Sequence, residues 1–420
     1  MLENFLRESR KFSNVILLDF GTLFAKCSVM VNGVVSDEII IVRNELYLLS
    51  EERVQYLSQL LSGAISIKPG YYTYKEISNK SLLFQVEEKY VQSDAMPFSV
   101  ELLTKSYQNI CEQIEDHFDL PFNIINNYSN WAIVIAIAAF ETAETRMTVE
   151  DFHTKACINL GFPGMYINNQ LLFDYFSQLS YLKTIGTIEG YCTLVNIGGG
   201  DTEVAVVSGL PQASTYRRFP IAGQYVFKYI HNALREKYRL TGVVGEQIEE
   251  WLAEGGNVLG DAPVTIKKWK RMDINIQDYL NCPEMLFDWN RFWGVKRIHN
   301  SVTDVIIASI DSLITQTEVD IGLILSAIVL VGGAARFRGM TERITKELSE
   351  YYSEFADRIN VIQGEEPQHS GINGIRSLIK LKYKDEGLMF TILPRRNESE
   401  DGIDLNYDDV HTYYDIDKQK

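Results

Sequence analysis

The 420-residue sequence predicts an α/β protein with two similar lobes, and three stretches carry that prediction. Thr193 to Gly209 (TLVNIGGGDTEVAVVSG) runs an apolar strand into Gly198, Gly199 and Gly200 and leaves through the apolar run Val204 to Val207. Val15 to Val29 (VILLDFGTLFAKCSV) repeats the device with an apolar strand, then Asp19, Gly21 and Thr22, then a return strand carrying Lys26. Ile328 to Gly339 (IVLVGGAARFRG) is a third apolar strand, ending at Gly332 and Gly333. Glycine at such a turn allows positive φ and removes Cβ, so backbone N–H groups can converge on an anion such as a phosphate. One glycine hairpin usually only turns the chain. Two of them imply two similar domains facing one nucleotide. Asp19 then orders a metal-bound water, Gly21 and Thr22 hold phosphate oxygens, and Lys26 neutralises them as a point charge. Gly332 and Gly333 let backbone lie against a flat base. The plainer alternatives are an Asp19 that caps its own turn and a Lys26 that faces solvent.

Composition narrows the class. Hydrophobic residues are 46% and charged residues 23% of the chain, as in soluble globular proteins, and the length allows roughly two to four domains. A net charge of −16 argues against nucleic acid or an anionic membrane as a partner of the body. The longest apolar run, Trp131 to Phe140, is too short to cross a bilayer and fits a buried parallel strand, so no transmembrane segment is expected. Cys27, Cys111, Cys157, Cys192 and Cys282 show neither metal spacing nor a disulfide pattern, which makes a reducing, cytoplasmic setting the default. His117, His153, His231, His299, His369 and His411 form no pair at ligand spacing and read as structural or surface groups.

In chain order, residues 1–13 read as a flexible leader without signal-peptide character. Residues 14–49 read as three strands with Asn32-Gly33 as a hairpin turn. Glu51 to Leu61 and Ser99 to Phe118 are helix-like within an otherwise mixed stretch. After the Trp131 strand, Thr148 to Leu160 reads as a helix with Thr148 as N-cap, and residues 161–180 as a turn and a helix. Beyond the second glycine hairpin, Gln224 to Tyr238 and Gly245 to Ala253 are helices, the latter stopped by Gly255-Gly256. Asp261 to Asn281 reads as a polar, lysine-bearing arm. Ser301 to Thr317, Met340 to Phe355 and Gly371 to Leu381 read as helices, and Ala327 to Val331 and Ile359 to Gln363 as strands. Residues 397–420 hold eight acidic residues and three tyrosines and read as a solvated tail, the alternative being a peptide that docks on a basic partner.

Asp19-x-Gly-Thr-x-x-x-Lys26, the Gly198 to Gly200 hairpin and the turn at Gly332 and Gly333, in that order, resemble the phosphate-1, phosphate-2 and adenosine motifs of the actin, Hsp70 and sugar-kinase superfamily. Further segments are similar to actins and actin-related proteins, an archaeal type included: Phe162 to Tyr166 with Gln170 following, Leu210-Pro211 with Ile221-Ala222-Gly223, Cys282 to Phe287, Ile298-His299 and Glu318 to Ile321. The resemblance covers about Asn14 to Met30 and Trp131 to Lys382. It implies a two-lobed actin-like ATPase fold, each lobe a mixed β-sheet with flanking helices and a small inserted subdomain. The implied boundaries are a first lobe over 14–180 with a divergent small subdomain about 45–128, a second lobe over 181–382 with its small subdomain about 224–300, a final helix about 371–382 returning to the first lobe, and an acidic tail over 383–420.

The resemblance also implies a site for ATP and Mg²⁺. Gln170 matches the residue that orients the attacking water, and an amide holds a water in line without acting as a strong base, so turnover is slow. Gly198, Gly199, Gly200 and Asp201 meet the phosphates, Glu254 the ribose hydroxyls, and Arg336 in the adenosine turn stacks on the base or faces solvent. Three departures qualify this. Asn196 stands where actins carry a second Mg²⁺-ordering aspartate, which weakens metal binding and hydrolysis. Glu203 replaces a histidine near the attacking water, as a base or as a charge that repels the γ-phosphate, and Ala253 replaces a nucleoside-binding lysine. The function implied is a filament-forming cytoskeletal protein with slow Mg²⁺-dependent ATP hydrolysis and self-association or actin-family partners. The alternative is an actin-related subunit of a larger complex that holds ATP structurally. A small-molecule kinase lacks a motif for its base beyond Glu203, and no substrate domain of an Hsp70-type chaperone follows the core.

Overall fold

A computed structural model describes residues 7–49, 99–121, 123–138, 143–185, 191–238, 245–269, 272–293, 299–314, 320–382 and 388–393, with short pieces between 51 and 91. The chain folds around two mixed sheets. The first has the order β1 (Arg7–Arg10), β19 (Leu388–Ile392), β10 (Gly164–Asn169), β9 (Ala132–Ile137), β2 (Val15–Phe20), β3 (Phe24–Val31) and β4 (Val34–Val35), with β5 (Ile40–Arg43) also on β3. β10, β9 and β2 run parallel, and β2 and β3 form the antiparallel hairpin around Gly21. Asn32 and Gly33 take positive φ at the next turn, as the Asn-Gly pair predicts. A separate three-stranded sheet joins β6 (Glu45–Leu49), β7 (Gly70–Thr73) and β8 (Glu88–Val91).

The second sheet has the order β13 (Leu210–Pro211), β12 (Thr202–Ser208), β11 (Tyr191–Ile197), β17 (Ile328–Val331) and β18 (Val361–Gln363), with β14 (Arg217–Phe219) on β12. β11, β17 and β18 are parallel, and β11 and β12 flank the Gly198 to Gly200 turn. β15 (Ile266–Trp269) and β16 (Met272–Asn275) form a hairpin inside the stretch read as a polar arm.

Eight helices matter for the site and its support: α1 (Val100–His117), α2 (Ala143–Leu160), α3 (Gln170–Thr184), α4 (Gly223–Tyr238), α5 (Gly245–Gly255), α6 (Val302–Ile314), α7 (Met340–Tyr351) and α8 (Ser370–Lys382). Strand alternation sorts the core into layers. In β2, Ile16, Leu18 and Phe20 face α1 and α2, and Val15 and Leu17 face α8. In β11, Val195 and Ile197 join the core built with α4, α5, α6 and α7, and Cys192 and Leu194 face α3. α3 packs against α8 and touches strands of both sheets. The two helices meet so closely that a Cβ on Gly374 would overlap the backbone carbonyl of Phe173.

Several expectations need correction. Arg7–Arg10 is a strand on β19, so the leader is ordered from Arg7; the exposed edge of β19 supplies the hydrogen bonds that an RESR stretch does not announce. Leu388–Ile392 belongs to the first sheet, so the tail does not start at 383. Helix α1, within the stretch expected to form a small subdomain, packs its buried face on β3, β5 and α2 and also touches β6 and β7 of the three-stranded sheet. Helix α2 starts at Ala143, and Thr148 donates to Glu144 O at 3.0 Å inside it instead of capping it. Residues 164–169 are a strand, parallel to β9, where a turn was read. The acidic stretch 397–420 and most of the helix read at 51–61 lie outside the described residues.

Candidate functional site

The two glycine turns, one from each sheet, meet. A Cβ on Gly199 would stand 2.9 Å from Leu23 Cδ1, and one on Gly200 would overlap Thr22 Oγ1. Side chains at those two positions would wedge the turns apart. Between and beside the turns lies a cavity of about 380 Å³, within the range of small-molecule sites. Its wall contains Gly21, Thr22 and Lys26 from the first turn, Gly198, Gly199, Gly200 and Asp201 from the second, Asn196, Gln170 at the start of α3, and Gly332, Gly333 and Arg336.

The backbone of the second turn is fixed from behind. Gly198 N donates to Asp201 O at 3.0 Å, and Gly223 N and Gln224 N at the start of α4 donate to Gly198 O at 3.2 Å and Gly199 O at 2.7 Å. Gly332 has φ +91 and donates to Pro367 O at 2.7 Å. A Cβ there would lie 2.6 Å from Asn196 Oδ1, whereas one on Gly333 would meet nothing within 4 Å and would point into open space.

The polar groups come from strand ends. Asp19, on the α8 face of β2, is fully buried and in register with Lys26, whose Nζ donates to its Oδ2 at 2.9 Å. Asp19 thus lies behind Lys26 rather than on the wall, with Gly371 of α8 making room for it: a Cβ there would stand 2.7 Å from Oδ2. Asn196, on the α3 face of β11, donates from Nδ2 to Asp174 Oδ2 at 2.7 Å. Asp174 is fully buried one turn into α3. Burial pushes its carboxyl up to about 7; the nearby Asp19 charge adds to the rise, while the Asn196 amide, Ser370 and Lys26 oppose it. The Ser370 hydroxyl bonds Ser177 Oγ at 2.7 Å. Oδ1 of both Asp19 and Asp174 is buried without a hydrogen-bond partner.

Besides Asp19, two expected residues are not on the wall. Glu254 is exposed and pairs with Lys267 at 2.5 Å, because it follows Ala253 by one helical residue and so turns about 100° away from the cavity. Glu249, one turn before Ala253, lines the cavity in its place. Its carboxylate accepts both Arg43 guanidinium N–H groups, Nη2 at 2.7 Å and Nη1 at 3.3 Å. Glu203 is buried opposite Asn196 and Arg218 in strand register, one pair back from the turn. Asp201 accepts a hydrogen bond from Arg218 Nε, which fixes its carboxylate against β14.

Sequence reasoning missed Asp174, Glu249, Gln368 and His369. Asp174 follows Gln170 by four residues and so shares its helix face, a spacing that could have flagged it. Gln368 and His369 line the cavity from the turn before α8, which corrects the reading of His369 as structural or surface. Burial, then the Lys26 charge, lowers the His369 pKa, and its Nδ1 is buried without a partner.

Residues 186–385 match the family model described as MreB/Mbl protein. That match supports the actin-like ATPase superfamily. It takes in the second glycine turn, the Gly332 turn and α8, and the mixed α/β architecture agrees with an actin-like ATPase fold. No curated protein matches the chain. No helix among the described residues is long and apolar enough to cross a membrane.

Proposed function

We propose that this chain is an ATP-binding, actin-like protein that assembles into cytoplasmic filaments in a nucleotide-dependent way and hydrolyses ATP slowly. One observation carries the reading: two glycine turns from different sheets converge on one cavity that also holds a third glycine turn, at Gly332 and Gly333. In this reading the two turns grip the phosphates from opposite walls. Lys26 supplies a cation, Gly333 leaves room for the base, and Arg336 lies exposed at the rim. Gln170 at the head of α3 holds a water near the terminal phosphate.

The residues fit a hydrated hard cation. Asp19 and Asp174 offer buried oxygens without partners, and Asn196 adds an amide oxygen. Among the described residues no three acidic, histidine or cysteine side chains converge, and Mg²⁺ beside a triphosphate keeps most of its waters. Mg²⁺ would neutralise phosphate charge there.

A second reading, a subunit that holds ATP structurally, is favoured by Glu203 lying off the cavity wall and by the wall carboxylates Asp201 and Glu249 being paired with Arg218 and Arg43. Sedimentation of purified protein with Mg²⁺-ATP, alongside phosphate release, separates the two. ATP-dependent pelleting with slow phosphate release supports the filament. A monomer that retains ATP without turnover supports the subunit, and absence of adenine-nucleotide binding by calorimetry overturns both.

A further inference from the structure

Asn196 stands where a carboxylate is expected, and the structure supplies the missing charge from behind it. Asp174 Oδ2 accepts the Asn196 Nδ2 hydrogen bond at 2.7 Å, and the two side chains are 0% and 4% exposed. This bond fixes the amide. With Asp174 ionised, the flipped amide would set its oxygen against a carboxylate oxygen at the same separation, two acceptors with no proton between them. With Nδ2 held, Asn196 Oδ1 lies toward Gly198 and Gly332 on the cavity wall, at 3.6 and 2.6 Å from the Cβ positions those glycines lack.

Asp174 is an unusual residue to bury for structure alone. A buried carboxylate is costly unless paired and hydrogen-bonded. This one is stabilised by the Asn196 amide and more weakly by the Ser370 hydroxyl, keeps an orphaned Oδ1, and lies within the field of a second buried carboxylate, Asp19. Lys26, the nearby cation, is already bonded to Asp19. A divalent cation in the adjoining cavity would relieve both carboxylates at once.

We propose that Asp174 and Asn196 act as one unit toward the divalent cation of the bound nucleotide. Asp174 supplies the negative charge and holds the amide, and Asn196 presents Oδ1 to a cation-bound water. Asp174 is thus a positioning residue whose influence reaches the cavity through Asn196. The inference rests on the nucleotide reading above and names how this chain compensates for its asparagine.

The test is calorimetric titration of full-length protein with ATP, once in MgCl₂ and once in EDTA. Wild type should bind more tightly with Mg²⁺. Asp174→Asn should lose about tenfold of that Mg²⁺ increment, the usual scale for removing an outer-shell partner of a metal site, with affinity in EDTA changed less than about twofold. The swap Asp174→Asn/Asn196→Asp keeps one carboxylate and one amide in the buried pair and should restore the increment. A merely structural Asp174 would move both affinities together, and that result overturns the proposal, as does an undiminished increment in Asp174→Asn. Where Asp174→Asn fails to fold, the swap decides: a folded swap variant without a Mg²⁺ increment overturns the proposal. Wild type that binds ATP equally in both buffers removes this inference alone, whereas wild type that binds no adenine nucleotide removes the nucleotide reading with it.

Discussion

Arg43 and Glu249 join the two sheet systems at the cavity, and breaking that pair should speed ligand release. Arg43 ends β5 of the first sheet and lies 5.2 Å from the Phe24 ring centroid, and Glu249 sits on α5, whose Ile248, Trp251 and Leu252 are in the core of the second. The contact is bidentate, at 2.7 and 3.3 Å, with the side chains 17% and 23% exposed. That exposure places it between surface pairs, worth up to about 1 kcal/mol, and buried pairs, which cost about 3–5 kcal/mol to break. About 1.5 kcal/mol is a reasonable figure, equivalent to about tenfold in rate if the pair must part before the ligand leaves. Glu249→Gln keeps the shape and removes the charge. In a stopped-flow chase of a fluorescent ATP analogue, its dissociation rate should rise about tenfold with little change in association rate. Arg43→Gln/Glu249→Gln should be no faster than the single variants by more than about twofold, because both remove the same contact. If Glu249 acted only as a negative charge near an anionic ligand, its removal would slow release instead. A dissociation rate unchanged or lowered in Glu249→Gln therefore refutes the latch.

Two further outcomes follow from packing and burial. Gly374→Ala places a methyl group inside the Phe173 carbonyl, a backbone atom that cannot rotate away, so urea unfolding should show a loss of about 2–3 kcal/mol; a loss under 0.5 kcal/mol would mean that α3 and α8 are not in such close contact. His153 is fully buried with Nδ1 bonded to Tyr107 OH, and burial lowers its pKa from 6.5 to about 3. Below pH 6.5 the unfolded chain takes up the proton that the folded one refuses, so stability falls as pH falls, by about 1.4 kcal/mol per pH unit, or about 3 kcal/mol by pH 4.5. The double variant Tyr107→Phe/His153→Phe should lack this part of the acid limb in urea titrations, and an unchanged slope would count against it.

The legible part of the molecule is the part in which one residue type has one use. A Gly-Thr pair after one apolar strand and a glycine triplet after another marked both turns, and their meeting at Thr22 and Gly200 needs no information beyond those residues and the fold. Two strands of the first sheet were hidden for the opposite reason. Arg7–Arg10 has no alternation of its own and is a strand because β19 offers it an edge, while residues 164–169 pair on both sides and lack the run of β-branched residues that marks a buried strand. Glu249 and Glu254 show the limit at the site. Both are acidic residues of one helix, and the choice between them depends on which face of α5 meets the cavity, a rotation fixed by Trp251 and Leu252 in the core. Asp174 was hidden because its partner is remote in sequence: a lone acid in a helix reads as a surface residue until Asn196 is placed beside it.

The contacts between the two sheet systems are of two kinds, and their placement bears on how the cavity opens. One turn behind the wall residues Gln170 and His369, α3 and α8 cross with backbone against backbone at Phe173 and Gly374. Polar bonds flank that crossing: Ser177 to Ser370, and Gln178 to Glu365 through Nε2 and Oε1 at 3.1 and 2.9 Å. A crossing with no side chain between the helices cannot slide without collision, but it can serve as a pivot. The Arg43–Glu249 pair is instead made by two long side chains that can part and re-form at small steric cost. A body that separates by rotating about the Gly374 crossing would break the Arg43–Glu249 pair and part Thr22 from Gly200, while leaving the Asp174–Asn196 bond, which lies beside the pivot, intact. On that geometry the Asp174–Asn196 pair would keep its shape through such a rotation, and under the proposed nucleotide reading the separation of the glycine turns would report whether a triphosphate is held between them.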